Sequence, residues 1–159
     1  MEIVLVHPEI PNNTGSIGRL VLGLGLRLHI VRPIGFSLEE KGLRRAGLDY
    51  WPRVDLMVHD DWDACCNFLS SGSSPPVEDR MHFFSARQGT SLFDVAFEKD
   101  AVLVFGGESK GLPSAMLDAY ARQCVRVPVS KEIRSLNLAN TVCLAAYTAV
   151  VSAGMPLPT

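Results

Sequence analysis

An α/β domain built on a mainly parallel sheet is the fold class this sequence predicts, and three observations predict it. Strand-like and helix-like hydrophobic periodicities alternate along the chain. The run Ala101–Phe105 (AVLVF) is continuously apolar, as a parallel strand covered on both faces must be. Segments rich in glycine, asparagine and charge follow strand candidates, where open α/β sheets hold their ligands.

Each element has its own signal. Glu2–His7 (EIVLVH) reads as a buried strand and leads into the turn-rich PEIPNNTGS. Ile17–Leu24 reads as a helix stopped by Gly25. Leu28–Val31 is a second strand, closed by Pro33, and Leu38–Ala46 (LEEKGLRRA) is an amphipathic helix ending at Gly47. Val54–Val58 is a strand candidate and Trp62–Leu69 a helix. Ser70–Pro76 (SSGSSPP) offers turns and nothing to bury, which makes it a surface loop. Met81–Ser85, Ala101–Phe105 and Cys124–Pro128 are further strands, with a short helix near Pro113–Arg122. Leu138–Ala153 closes the chain as a helix that is apolar on nearly every side. Such a helix is normally covered all round, which predicts a partner subunit on its outer face.

Composition narrows the function classes. The 159 residues suit one domain over 1–159, with no internal repeat. Apolar residues make up 47% of the chain and charged ones 20%, a globular rather than disordered balance. MEIVLVHPEIP carries no signal-peptide pattern, and residues 138–153 are too short and too polar to span a membrane. A cytoplasmic location and no membrane partner are expected. The formal charge of −2 rules out a uniformly basic nucleic-acid binder, so any RNA site must be a local patch. Cys65, Cys66, Cys124 and Cys143 show no C-x-x-C spacing, and His7, His29, His59 and His82 read as isolated; no metal is expected.

The chemistry-bearing residues concentrate in Pro8–Arg19 (PEIPNNTGSIGR), Phe105–Pro113 (FGGESKGLP) and Arg126–Asn140 (RVPVSKEIRSLNLAN). Ser85, Gly106 and Val127 fall at or near strand ends, so one pocket could collect them. Gly106–Gly107 allows close backbone approach, although an ordinary tight turn would also use it. Gly23-Leu-Gly25 lies where a helix ends and is no dinucleotide fingerprint; Gly106–Gly111 lacks the Gly-Lys-Ser/Thr ending of a P-loop. No hydrolase elbow and no zincin motif occurs. Basic residues cluster as Arg19, Arg27 and Arg32, as Lys41, Arg44 and Arg45, and as Arg122, Arg126, Lys131 and Arg134. If several converge, they suit a phosphate backbone.

Taken together, these segments resemble the three ordered motifs of the SPOUT methyltransferases. The likeness is closest to the small TrmL/YibK-type enzymes of tRNA nucleotide 34. Asn13, Thr14, Gly15 and Arg19 fall on shared positions of the first motif, and Gly35–Tyr50 also matches. Phe105–Pro113 is similar to the second motif; Arg134–Asn140 (RSLNLAN) with Tyr147 is similar to the third. Gly107 stands where the family often has Pro, Ser85-Ala86-Arg87-Gln88 replaces a Thr-rich stretch, and Thr148 stands where Glu is common.

The resemblance implies a parallel-sheet SPOUT fold with a C-terminal deep trefoil knot, a topology that general rules disfavour. It also implies a homodimer whose active sites draw on both subunits. The implied reaction moves a methyl group from S-adenosylmethionine to the ribose 2′-OH of cytidine or modified uridine 34, leaving S-adenosylhomocysteine. The implied RNA is a tRNA anticodon stem-loop, with tRNA-Leu isoacceptors expected. By position, cofactor contacts fall on Ser85, Gly106, Val127, Ser135 and Leu136. Arg19 matches the proposed catalytic arginine, with Glu108 and Asn140 at polar positions beside the pocket. Because guanidinium stays charged in proteins, Arg19 is expected to stabilise a developing alkoxide or a phosphate rather than act as a base. The alternatives are methylation of another tRNA or rRNA position, and an RNA-binding SPOUT protein without catalysis.

Overall fold

A computed structural model describes residues 1–38, 49–71 and 76–159. The strands are β1 (Glu2–Val6), β2 (Arg27–Val31), β3 (Leu56–His59), β4 (Met81–Phe84), β5 (Thr90–Ser91), β6 (Val102–Gly106) and β7 (Cys124–Arg126). The helices are α1 (Pro11–Leu24), α2 (Trp62–Ser70), α3 (Val77–Arg80), α4 (Ser114–Ala119) and α5 (Leu138–Ser152). Among the described residues the strands form one parallel sheet in the order β3-β2-β1-β6-β4-β7-β5.

Alternation along the central strands separates two apolar layers. Ile3, Leu5, Leu103 and Phe105 face Ile17 and Val21 of α1 and Val142, Ala146 and Ala149 of α5. Val4, Val6, Val102 and Val104 face the opposite layer with Cys65 and Leu69 of α2 and with Met81 and Phe83. Both faces of β1 and β6 are covered, which is why these strands carry no polar alternation. Each fully buried aliphatic side chain here contributes about 1.5–3 kcal/mol relative to exposure.

The first helix starts six residues before the predicted Ile17. Pro11 occupies its first turn, where the missing N–H costs nothing, and Asn13, Thr14 and Gly15 are buried rather than looped out. Polar composition disguises that turn. Gly25 ends the helix at φ 65°, and Leu26 N–H donates to the Val21 carbonyl at 2.8 Å. The third strand lies later than Val54–Val58, because Trp51–Arg53 forms a 3-10 turn that buries Trp51 and leaves Leu56–His59 to pair with β2. β5 carries no sequence signal; two residues are too few for a periodicity. All but Leu38 of the helix predicted over Leu38–Ala46, with Lys41, Arg44 and Arg45, lies outside the described residues, as does most of the Ser70–Pro76 loop.

The closing helix buries Val142, Ala145, Ala146, Ala149 and Val150. Its outward stripe presents Asn140, Cys143, Tyr147 and Val151. Tyr147 is 46% exposed and Val151 62%. No described helix is long and apolar enough to cross a membrane.

Candidate active site

Because the strands are parallel, β1, β4, β6 and β7 end on one side of the sheet. The segments that follow them enclose a cleft of about 1080 Å³. Phe84, Phe105, Leu112 and Leu138 supply apolar wall, and Ser85 and Ser135 supply hydroxyls. Ser85, Gly106, Val127, Ser135 and Leu136, the positions singled out for a cofactor, all line this cleft together with Glu108. Arg19 and Asn140 do not line it.

Gly106 has a specific structural job. A Cβ there would collide with the backbone of Gly111 and Leu112. The following loop folds back on itself, with Gly111 N–H donating to the Gly107 carbonyl at 2.8 Å. Any larger residue at 106 would force this loop open. Ser85 continues the ladder, its N–H donating to the Val125 carbonyl at 2.9 Å, while its Oγ accepts from Arg87 N–H at 3.2 Å.

Glu108 is engaged within the protein. Its carboxylate accepts from Glu9 N–H at 2.8 Å, Ile10 N–H at 3.2 Å and Asn13 Nδ2 at 2.9 Å. It therefore sits at the start of α1, where a negative charge meets unpaired N–H groups and the positive helix end. Asn13 Oδ1 in turn accepts from Asn137 Nδ2 at 2.9 Å. Asn137 caps α5, its Oδ1 accepting from Ala139 and Asn140 N–H. A second tie joins Ser109 Oγ to Glu9 Oε1 at 2.7 Å. One chain of polar contacts thus connects all three motif segments beneath the cleft.

Arg19 is exposed on α1, its guanidinium carbon 4.7 Å from the centroid of the Tyr50 ring. Tyr50 is buried and donates its hydroxyl to the Gly15 carbonyl at 3.0 Å. The arginine is thus held beside Tyr50 and does not line the cleft of the same chain. Asn140 is exposed in the first turn of α5.

Residue-by-residue reading misses His7, Glu9 and Asn137. His7 lines the cleft at φ 54°, a left-handed conformation that costs a non-glycine residue about 1–2 kcal/mol. Nothing in the sequence signals that angle. Asn137 is detectable: an asparagine just before an apolar helical run is an N-cap signal. Arg87, Lys110 and Arg134 are not grouped by sequence, yet all three border the cleft and are exposed.

The histidines are not all isolated, which corrects the expectation from sequence. Neighbouring strands β2 and β3 bring His29 Nδ1 within 2.9 Å of His59 Nε2, although thirty residues separate them. Burial pushes the nearby Cys65 thiol up to about 12, which makes it a poor nucleophile.

Residues 1–147 match the family model of the SpoU rRNA methylases. The chain belongs to this family. Among its relatives is the tRNA (cytidine(34)-2′-O)-methyltransferase of Burkholderia pseudomallei, 44% identical over 153 residues, covering 96% of this chain and 95% of that one. The enzyme of the same name from Methylovorus glucosotrophus is 42% identical over 149 residues, covering 93% and 92%. A solved structure described as giving insights into the 2-OH methylation of C/U34 on tRNA superposes with a TM-score of 0.84 at 42% identity, covering 95% and 94%. The SpoU methyltransferase AviRb from Streptomyces viridochromogenes, in complex with AdoMet, gives 0.80 at 21% identity, covering 95% of this chain and 57% of that one. This last likeness concerns the fold. The parallel α/β sheet matches that of these SpoU-family neighbours.

Proposed function

We propose that this SpoU-family protein transfers a methyl group from S-adenosylmethionine to the ribose 2′-OH of nucleotide 34 in tRNA. The observation that carries the reading is the single strand-end cleft uniting Ser85, Gly106, Val127, Ser135 and Leu136. The names of the relatives at more than 40% identity support nucleotide 34 as the target. tRNA-Leu isoacceptors, an anticodon stem-loop as the bound element and a cytoplasmic location belong to the same reading.

The cleft residues fit an adenosylated ligand. Phe84, Phe105 and Leu112 offer an apolar surface for a base, and the hydroxyls of Ser85 and Ser135 with strand-end backbone groups offer polar contacts. When bound, S-adenosylmethionine supplies a methyl group already activated by its sulfonium. The protein's own task is to align the 2′-oxygen with that methyl and to ease departure of the hydroxyl proton. The O–C bond forms as the S–C bond breaks, and the proton leaves for solvent or an RNA phosphate. Glu108, Asn13 and Asn137 hold the cleft walls in register for that alignment. Arg87, Lys110 and Arg134 surround the mouth with positive charge suited to an RNA backbone.

Arg19 is the alkoxide- or phosphate-stabilising cation of this reading, and it does not line the cleft of its own chain. The reading therefore includes a homodimer in which Arg19 of the partner subunit completes each site. The apolar outward stripe of α5 supports such an interface. One domain over residues 1–159 and a C-terminal deep trefoil knot are further parts of the reading. What supports them is the shared core of β1 and α5 and the likeness to SPOUT-type folds.

The test is methyl transfer from labelled S-adenosylmethionine to bulk tRNA, with the product nucleotide mapped. A 2′-O-methyl group at position 34 is expected. Product only at another tRNA position or in rRNA would support a different substrate, and RNA binding without transfer would support a non-catalytic protein.

A further inference from the structure

A second constellation lies away from the cleft, in the other layer of the fold. His29 comes from the middle of β2, His59 from the last residue of β3, and Cys65 from α2, which packs on both strands. His29 and Cys65 are fully buried and His59 is 6% exposed. One ring nitrogen of each histidine and the Cys65 Sγ all lie within 4.8 Å of one another.

The surroundings of His29 make the cluster more than a chance contact. Its Nε2 is 2.6 Å from Glu2 Oε2, the carboxylate of a residue on the adjacent strand. A carboxylate accepts only, so Nε2 carries the hydrogen and Nδ1 presents its lone pair toward His59. A buried imidazole backed by a carboxylate, beside a second imidazole and a thiol, is the arrangement by which proteins orient histidine on a metal. Phe68 packs against both rings, with centroids 5.6 and 5.5 Å away, and limits access of water.

We infer that His29, His59 and Cys65 form a binding site for a zinc-type divalent transition-metal ion, separate from the methyl-transfer cleft. The donor set of two imidazoles and one thiolate suits Zn²⁺, with a water molecule in the fourth position. A tetrahedral site needs donor nitrogens about 3.3 Å apart, so the 2.9 Å pair opens slightly on binding. Binding forms a bond from Cys65 Sγ to the metal and releases the thiol proton to solvent. His59 keeps its hydrogen by moving it from Nε2 to Nδ1. The thiolate and the Glu2 carboxylate together balance the two positive charges. The ion would fasten edge strand β3 and helix α2 to β2, so its effect is on stability and not on methyl transfer.

The competing account is a hydrogen-bonded core relay, His59 to His29 to Glu2, with Cys65 as apolar filling. Full-length protein stripped with a chelator and titrated with Co²⁺ separates the two. The metal site predicts one equivalent bound, with a thiolate-to-cobalt charge-transfer band and tetrahedral d–d bands, all displaced by Zn²⁺. Cys65→Ser is expected to abolish the charge-transfer band, and Glu2→Gln to weaken Zn²⁺ binding about tenfold or more. Cys66→Ser is expected to change neither. Absence of the band in the wild-type protein overturns the inference whatever the variants do. So does a band that survives Cys65→Ser or disappears in Cys66→Ser.

Discussion

Asn137 Nδ2 donates to Asn13 Oδ1 at 2.9 Å across 124 positions of the chain, joining the cap of the last helix to the first turn of the first. Asn13 Nδ2 then donates to Glu108 Oε1, so a single amide bridges two motif segments to a carboxylate in a third. Asn13 is 8% exposed, so bulk water cannot stand in for a missing partner there.

Asn13→Ala leaves both the Glu108 carboxylate and the Asn137 amide short of a partner. A loss of about 1–3 kcal/mol in unfolding free energy is expected. Asn137→Ala removes the same bridge together with a helix cap worth about 1 kcal/mol. The double variant should cost clearly less than the sum of the two, because they share one interaction. Denaturant unfolding of all four proteins measures this. Strict additivity would show that the bridge carries no coupling.

Arg19→Ala should lower the single-turnover rate of methyl transfer by roughly 10²–10³-fold, as expected for losing a cation at developing negative charge. S-adenosylmethionine binding, measured by calorimetry, should remain, because Arg19 does not line the cleft. Tyr50→Leu should reproduce part of the rate loss, since the ring that steadies the guanidinium is gone. Normal turnover in Arg19→Ala would remove Arg19 from the reaction.

Strand composition makes the architecture legible, because β1 and β6 are buried on both faces and say so in continuous apolar runs. The strand-end location of the cleft follows from the parallel sheet alone. Two kinds of information are hidden. Local polarity misleads at Asn13, Thr14 and Gly15, which look like a turn but form a buried helical start; tertiary packing overrides composition there. Pairings between distant segments are invisible for a different reason. Nothing local to Glu108 says that its carboxylate is committed to Glu9, Ile10 and Asn13, and nothing local to His29 announces His59. Arg19 shows the second limit again: nothing local to it announces its contact with Tyr50, thirty-one positions away.

Arg87→Ala and Lys110→Ala should each weaken tRNA binding with little effect on S-adenosylmethionine affinity. Each should also reduce the slope of log K against log salt by about 0.7–0.9 for every phosphate that the variant no longer neutralises. Filter binding across a salt series reads both quantities. An unchanged slope in both variants would move the RNA path elsewhere on the surface.

Burial lowers the pKa of His82 below its ordinary 6.5, with the ring packed 4.7 Å from Phe97. The unfolded chain therefore takes up this proton more readily than the native protein. Stability from His82 is fully present above the unfolded value and is lost as pH falls from about 6.5 through the lower native pKa. His82→Phe should flatten that part of the stability-against-pH curve, measured by thermal unfolding at fixed ionic strength. A curve of unchanged steepness would assign the acid sensitivity to other groups.

Tyr147 and Val151 lie one turn apart on the outward stripe of α5, and Phe93 (63% exposed) lies on a second 3-10 turn, Leu92–Asp94, packed beside that helix. In the isolated chain Val151→Asp touches little, so its effect on folding should stay within about 0.5 kcal/mol. In a dimer sealed by this stripe, the same change buries an unpaired carboxylate against apolar surface, which costs several kcal/mol. Sedimentation should then show monomer where the wild type is dimer, with circular dichroism unchanged. Methyl transfer should fall with the dimer, because each cleft would lose the partner's Arg19. A Val151→Asp chain that stays dimeric would move the interface away from α5, and one that is monomeric yet fully active would return the catalytic arginine to its own chain.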